Sequence, residues 1–164
     1  MIRVVAVGCG GLTRETADLL AADPTTEFTG CVDDDPGTHG QVVAGHPVHG
    51  GLDRLAHLLG ADPDLRVVLC VGSSRRPTSR LDVAARLGLD PSRYAVLVHP
   101  AASVARATTI GPGSILLAEV VTTAEASIGA HCILMPGVIL THDDVLADGV
   151  TIAAGVRLAG GVHV

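Results

Sequence analysis

A six-residue hydrophobic period runs without interruption from Val104 to Val164. The first position of each hexad is aliphatic in nine of ten cases, the exception being Thr122, and the fifth position is mostly small, as at Ser114 and Ala126. Neither a 3.6-residue helix nor a two-residue strand alternation produces this period. It predicts a parallel β-helix, in which short strands turn a corner every six residues and three hexads close one triangular coil. Large aliphatic side chains fill such a prism, and small ones fit its tight corners.

The N-terminal part of the chain instead alternates apolar runs with amphipathic stretches. Residues 2–7 (IRVVAV) form an aliphatic run that is typical of a buried parallel strand. Further strands are predicted at about 28–32, 66–71 and 94–98, and helices at 12–22, 51–59 and 78–87. This alternation predicts a parallel sheet with right-handed crossovers. The chain is therefore expected to hold two packed units that meet near residue 100.

A glycine loop follows the first predicted strand. Gly8, Gly10 and Gly11 precede the first helix, where glycines let the backbone approach a phosphate and a helix N-terminus offers unpaired N–H groups. Thr13 stands where the third glycine of a complete GxGxxG would fall, so a plain tight turn is the alternative. About 100 residues make only one compact half of a double-wound fold, which disfavours a dinucleotide role.

An acidic run, Asp33 to Asp35, ends the second predicted strand. An aspartate at this place can accept hydrogen bonds from a ribose or a base edge. The alternative is a solvated loop. With the glycine loop, this run predicts a nucleotide site.

Five segments and the hexads together resemble the NeuD/PglD-like family of sugar acetyltransferases. The segments are GCGGLTRETADLL (8–20), CVDDDP (31–36), PVHGGLDRL (47–55), CVGSSRRPTSRL (70–81) and HPAASVA (99–105). The resemblance covers essentially the whole chain. It implies an α/β plus β architecture: a Rossmann-like, nucleotide-binding parallel-sheet domain over residues 1–99 and a short left-handed parallel β-helix over residues 100–164.

The resemblance also implies the reaction, which moves an acetyl group from acetyl-CoA to an amine, or to a hydroxyl, of a nucleotide-linked sugar. A UDP-amino-sugar is the preferred acceptor. His142 in LTHDDV matches the general base of the family, with Asp143 as the residue that orients it and Asp144 as a possible corner residue. Histidine suits this role because its pKa lies near neutrality.

Coil geometry adds an expectation that does not depend on the family. With about eighteen residues per coil, Gly160 stacks beside His142, and its backbone N–H can be approached closely by a thioester oxygen. The family uses a backbone amide of this kind, and Gly161 and Arg157 complete the expected acetyl-CoA contacts. A surface histidine beside an ordinary corner glycine is the alternative.

The resemblance assigns the nucleotide to Gly8, Gly10, Gly11, Asp33 and Asp34, with uridine as the expected base. The sequence departs from the family at three polar positions. Leu12 and Thr13 stand where members often carry histidine and glycine, and Thr151 stands where relatives can carry a second histidine. Two alternatives therefore stay open: an acyltransferase with a non-sugar acceptor in specialised metabolism, and a non-catalytic nucleotide-binding homologue with a shortened β-helix.

The amino-acid composition limits which kinds of ligand and partner are expected. The net charge is −6 and every basic residue is arginine, which disfavours nucleic acid. Four cysteines without CxxC spacing predict buried free thiols, and the histidines lack metal-ligand spacing, so no metal is expected. No signal peptide or membrane span is visible, which predicts a cytoplasmic protein without membrane insertion.

The flat faces of the prism can stack against one another, and so few coils need additional buried surface to be stable. Both features favour a homotrimer. Relatives usually carry further coils beyond the position of Val164, and those coils form much of the CoA groove. We therefore expect this chain to bind acetyl-CoA weakly or not at all, and we expect a full catalytic form to have more C-terminal sequence or to borrow it from a partner.

Overall fold

The computed structural model describes residues 1–72 and 76–164; residues 73–75, within the CVGSSRRPTSRL segment, lie outside the described residues. The N-terminal unit contains β1 (Ile2–Val7), α1 (Gly11–Ala22), β2 (Thr26–Val32), β3 (Val42–Val43), β4 (His46–Pro47), α2 (Asp53–Ala61), β5 (Leu65–Leu69) and α3 (Ser79–Leu87). Short 3-10 turns span Pro36–Thr38 and Pro91–Arg93. Three strands and three helices of the sequence-based prediction are confirmed, with boundaries shifted by a few residues.

The N-terminal sheet has the order β2-β1-β5, and all its strands are parallel. Its central strand is buried on both faces, which explains the uninterrupted aliphatic run of β1. Leu19 and Leu20 of α1 pack on one face, while Leu55 of α2 and Val83 of α3 pack on the other. The unit is therefore a three-layer α/β sandwich.

The second unit is built from nine short strands that form three parallel sheets. These are β6 (Leu97–Val98), β7 (Thr109–Ile110), β8 (Ile115–Leu116), β9 (Val121–Thr122), β10 (Ala126–Ile128), β11 (Ile133–Leu134), β12 (Ile139–Leu140), β13 (Asp144–Leu146) and β14 (Thr151–Ile152). The first face holds β7, β10 and β13; the second face β6, β8, β11 and β14; the third face β9 and β12. The chain passes through the faces in that order, as a parallel β-helix requires.

The register of these sheets confirms the predicted eighteen-residue coil. Ile133 pairs with Ile115 on one side and with Thr151 on the other, so each partner is eighteen positions away. First hexad positions such as Leu134 and fifth positions such as Cys132 are completely buried. The six-residue period thus follows from which side chains face the interior of the prism.

The prediction that residues 94–98 form a fourth strand of the N-terminal sheet is wrong, because that sheet has three strands among the described residues. Tyr94 makes a single parallel bridge to Val67, and Leu97 then pairs with Ile115 of the β-helix. A short apolar run does not specify which neighbour it will pair with. Coil stacking therefore starts at Leu97, slightly before residue 100.

Asp144 occupies a fifth hexad position, where a small apolar residue is usual. Its carboxylate is fully buried and accepts hydrogen bonds from the backbone N–H groups of Thr141 (2.7 Å) and Val162 (2.9 Å). A buried carboxylate is tolerated when backbone donors satisfy both oxygens. Asp144 is thus the inward-facing first residue of β13 rather than a corner residue.

The N-terminal unit packs against the second face. Ile115 and Leu117 share one buried cluster with Leu20 of α1 and Leu97 of β6. In the described parts of the chain, no helix combines the length and the apolar character needed to cross a membrane.

Candidate functional site

His142 and Asp143 lie in the corner between β12 and β13, where the third face meets the first. Nδ1 of His142 lies 2.9 Å from Oδ2 of Asp143, and both side chains are about two-thirds exposed. Asp143 adopts a left-handed backbone conformation (φ 62°), which aspartate tolerates better than most residues. Its N–H donates to the carbonyl of Glu125 in the preceding coil, at 2.8 Å. The structure therefore places the two predicted residues together in an accessible corner.

Gly160 lies directly beside the imidazole of His142, as the coil period predicts. A Cβ atom at position 160 would overlap Cε1 and Nε2 of the ring, so only glycine leaves room for it. The N–H of Gly161 donates to the carbonyl of His142 at 2.9 Å, whereas no described residue accepts a hydrogen bond from the N–H of Gly160. Of the two glycines, Gly160 is thus the one whose N–H is available to donate a hydrogen bond to an oxygen of a bound ligand.

The charge around His142 is negative. The hydrogen bond and the charge of Asp143 raise the pKa of His142 above its ordinary value, and the charges of Asp144 and Glu125 add to this effect. Proton uptake at this imidazole is therefore favoured, which suits a group that must accept a proton during a reaction.

A hollow of about 320 Å³ opens on the first face beside Asp143. Glu125, Ser127 and His163 line it together with Asp143. Sequence analysis assigned no site role to Glu125 or to His163. The eighteen-residue coil period could have indicated both residues from the sequence. Glu125 lies one coil before Asp143, and His163 lies one coil after Val145.

Arg157 lies on the third face, where it bridges to Ile139, and its guanidinium donates to the carbonyl of Gly155 at 3.1 Å. It is exposed and stands three positions before Gly160. The structure therefore leaves Arg157 accessible on a face that adjoins the His142 corner.

The glycine loop joins β1 to α1 in a conformation that only glycine adopts without strain. Gly8 has φ 101°, and a Cβ atom there would lie 2.8 Å from the carbonyl oxygen of Cys70. Gly10 caps the N-terminus of α1, and Gly11 is its first residue. Thr13 is fully buried and its hydroxyl donates to the carbonyl of Gly8 at 2.6 Å. The residue that breaks the glycine motif thus holds the loop in place.

A hollow of about 190 Å³, the glycine-loop hollow, brings together Gly8, Asp33 and Asp34. Its other lining residues are Val7, Leu52, Val71, Val83 and Arg86. Gly10 and Gly11 do not line it and stand exposed at the end of α1. The structure therefore gathers three of the five predicted nucleotide residues in one hollow.

Internal hydrogen bonds already engage both aspartates. Asp33 accepts from the N–H groups of Cys9 (2.8 Å) and Asp35 (2.9 Å). Asp34 accepts from the N–H of Leu52 (2.9 Å) and from Arg86 (2.7 Å), and these partners, Leu52 first, lower the pKa of Asp34. Sequence analysis missed Arg86, because pairing between residues 52 positions apart leaves no local pattern.

Four free cysteines are present, and Cys31, Cys70 and Cys132 are buried, which confirms the prediction for these three; Cys9 is half-buried. Burial is the first cause that raises the pKa of each of the four thiols. Residues 1–72 and 76–164 contain no cluster of three or more His, Cys, Asp or Glu side chains arranged to hold a metal ion.

The two candidate sites belong to different units: the glycine-loop hollow to the N-terminal unit and the His142 corner to the β-helix. The N-terminal unit covers the second face, whereas His142 stands at the corner between the third and first faces. The covered face is thus not one of the two faces that meet at the His142 corner.

No protein-family model matches the chain. Over 119 residues it is 31% identical to UDP-N-acetylbacillosamine N-acetyltransferase of Bacillus subtilis (strain 168), a match that covers 72% of this chain and 52% of that protein. The chain thus spans about half the length of this curated relative.

Among solved structures, the acetyltransferase domain of PglB from Neisseria gonorrhoeae FA1090 in complex with acetyl coenzyme A matches with a TM-score of 0.77 and 29% identity. That match covers 99% of this chain and 76% of the PglB domain. A perosamine N-acetyltransferase from Caulobacter crescentus, in complex with CoA and GDP-perosamine, has the same fold (TM-score 0.64, 23% identity, 98% and 87% coverage). These homologues are sugar acetyltransferases of the NeuD/PglD-like family, which confirms the resemblance drawn from the sequence.

Proposed function

We propose, from its kinship with sugar acetyltransferases, that this chain transfers an acetyl group from acetyl-CoA to the amine of a nucleotide-linked sugar, with His142 as general base. The observation that carries the proposal is the pairing of His142 with Asp143 directly beside the unpaired N–H of Gly160. A proton acceptor and an oxyanion donor within one corner are what acyl transfer requires. A sugar hydroxyl is the second acceptor that this geometry admits.

In the proposed acetyl transfer, His142, Asp143 and Gly160 each have a separate role. Asp143 accepts a hydrogen bond from Nδ1–H of His142, which leaves Nε2 free to take the proton of the attacking amine. The carboxylate then stabilises the imidazolium. The N–H of Gly160 donates to the thioester oxygen as negative charge develops there. His142 finally returns the proton to the departing thiolate. Acetyl-CoA would supply the acetyl group as an activated thioester, and we assign its further contacts to Gly161 and Arg157, which are both exposed near Gly160.

We assign the nucleotide to the N-terminal unit, which we propose to be Rossmann-like. We also propose that the coils of the β-helix are left-handed. Gly10 and Gly11 stand exposed at the N-terminus of α1, where the first backbone N–H groups of a helix have no partner within it and can bind a phosphate group. The nucleoside then lies in the glycine-loop hollow, against Asp33 and Asp34. We expect a uridine nucleotide, the type named for the Bacillus relative.

We further propose that the protein is a homotrimer. The N-terminal unit, which holds the glycine-loop hollow, packs on the second face, whereas His142 stands at the corner between the third and first faces, and this separation favours a site shared between protomers. A cyclic threefold arrangement brings the N-terminal unit of each copy against a neighbouring prism. We infer that each active site combines the nucleotide pocket of one protomer with His142 of the next.

Mixing two inactive variants is expected to restore activity. His142→Ala removes the base, whereas Gly10→Asp keeps a good helix cap but puts a negative charge where phosphate binds. In randomly mixed trimers, about a quarter of the sites pair an intact pocket with an intact histidine, so about that share of wild-type turnover returns. Mass spectrometry of the intact assemblies checks the mixing. Verified mixed trimers without activity would show that each site lies within a single chain.

Asp143→Asn is expected to lower the pH at which activity rises. The neutral imidazole is the base, so the acid limb of kcat/KM follows the pKa of His142, which Asp143 raises. Asparagine tolerates the left-handed backbone and keeps an oxygen acceptor, but it removes the charge. The limb therefore moves down towards the ordinary histidine value of about 6.5. Glu125→Gln is the control and moves the limb less, because Glu125 is the weakest contributor. An unmoved or rising limb in Asp143→Asn contradicts the assignment.

A further inference from the structure

Two cysteine side chains meet at the glycine loop of the N-terminal unit. Sγ of Cys9 lies 2.6 Å from Sγ of Cys31, although the two residues are 22 positions apart in the chain. Cys9 stands between β1 and α1, whereas Cys31 lies near the end of β2, the neighbour of β1 in the sheet. Neither cysteine lines the glycine-loop hollow or contacts the pair of His142 with Asp143. The acetyl transfer proposed above therefore leaves these two thiols without a role.

Backbone hydrogen bonds hold the segments of the two cysteines together. The N–H of Cys9 donates to Oδ2 of Asp33 at 2.8 Å, and the N–H of Gly8 donates to the carbonyl of Val32 at 2.8 Å. Both bonds attach the glycine loop to the end of β2, next to Cys31. The contact between the sulfur atoms thus depends on the pairing of the backbone and not only on the rotation of two side chains.

The two thiols differ in their access to solvent. Cys31 is completely buried, whereas Cys9 is half-buried and is followed by the exposed Gly10. Burial is the first cause that raises the pKa of both thiols, so both are neutral near pH 7 and no charge repulsion separates the sulfur atoms. A dissolved oxidant therefore reaches Cys9 first, and Cys31 is already in place to react with the product.

We propose that Cys9 and Cys31 form a reversible disulfide that ties the glycine loop to β2. Cysteines whose side chains point away from each other can be joined only by moving the backbone. Here the sulfur atoms are already in contact, so the bond needs little movement of the chain. A disulfide restricts the unfolded chain and thereby stabilises the folded one. This redox site goes beyond the acetyl transfer proposed above.

The oxidant is a small disulfide, and oxidised glutathione is the probe. The thiolate of Cys9 attacks one sulfur of glutathione disulfide, which forms a mixed disulfide and releases one glutathione thiolate. The thiolate of Cys31 then attacks Sγ of Cys9, forms the bond between the two cysteines and releases the second glutathione thiolate. Each released thiolate takes up a proton, so the two protons and two electrons that the protein loses convert the oxidant into two thiols. Reduced glutathione reverses both steps.

Peptide mapping of the full chain tests the proposed bond. Trypsin cleaves after arginine, so Cys9 and Cys31 fall on the separate peptides 4–14 and 15–54, which a disulfide between them would join. The protein is kept in glutathione buffers of increasing oxidising strength until the number of free thiols is constant, and it is then alkylated and digested. We expect the two peptides to be joined. The folded protein should form this link under conditions at least about tenfold less oxidising than the protein unfolded in guanidinium chloride.

Thermal unfolding is a second readout of the same bond. The oxidised protein should unfold at a midpoint at least about 5 °C above that of the reduced protein. Cys9→Ser should abolish both the link between the peptides and this difference. Cys132→Ala is the matched control: it alters a buried cysteine in the core of the β-helix and should leave both results unchanged.

Absence of the link in folded protein at the most oxidising glutathione ratio would overturn the proposal. A link from Cys70, which also lies near Cys31, to either cysteine in place of the predicted pair would overturn it as well. So would equal oxidation of the folded and the unfolded chain, because the fold would then contribute nothing to the pairing. An oxidised protein that unfolds no later than the reduced one would contradict the stabilisation. If Cys9→Ser fails to fold, the mapping of the unaltered chain still decides.

Discussion

Replacing His142 with alanine is expected to lower the rate of acetyl transfer by about 10²–10⁴-fold. The side chain is about two-thirds exposed and its only side-chain hydrogen bond among the described residues is to Asp143, so its loss removes the base without disturbing the core. Release of the free thiol of CoA measures the rate, and thermal unfolding monitored by circular dichroism checks the fold. Near-normal turnover in a folded His142→Ala protein would remove this histidine from the mechanism.

Gly160→Ala is expected to reduce turnover by about a hundredfold, because small misplacements of a catalytic group have effects of that size. The new methyl group would occupy the space of Cε1 and Nε2 of His142 and would push the imidazole out of its corner. Gly60→Ala is a matched control, since no atom lies near the new methyl group and its site is on α2, away from the β-helix.

A double-mutant cycle shows whether Gly160 acts through His142. In the His142→Ala background there is no ring to displace, so the added alanine at position 160 should have little further effect on turnover. Additive losses would mean that position 160 acts independently of the imidazole, for example by binding the thioester oxygen alone.

The β-helix could be predicted from the sequence because its interior repeats. Each coil presents the same positions to the prism, so Leu116, Leu134 and Ile152 are all buried first positions. The same period predicts that Gly160 lies beside His142, as the structure has it. A repetitive fold converts sequence spacing into spatial distance, which few folds do.

Contacts between distant segments could not be predicted in this way. The pair of Asp34 with Arg86 and the bond of Arg80 with Thr151 join residues 52 and 71 positions apart. Neither pair leaves a local pattern, and the packing of the two units decides both. Tyr94 shows the same limit, because the apolar run that follows it gave no indication that Leu97 would join the β-helix.

Thr13 illustrates a different limit. In a complete GxGxxG motif this position would be glycine, so the sequence suggests that the motif is incomplete. In the structure, the buried hydroxyl of Thr13 donates a hydrogen bond to the carbonyl of Gly8 and so stabilises the loop. Hydrogen bonds that replace a motif residue become visible only when the backbone is placed.

Acetyl transfer to nucleotide-linked amino-sugars tests the central claim most directly. The protein is incubated with millimolar acetyl-CoA and, in turn, with UDP-, dTDP- and GDP-linked amino-sugars, and the acetylated sugar is identified by mass spectrometry. We predict N-acetylation of at least one of them, fastest with UDP, that depends on His142. Absence of acetylated product with every nucleotide amino-sugar, from folded protein at saturating acetyl-CoA, would contradict the account.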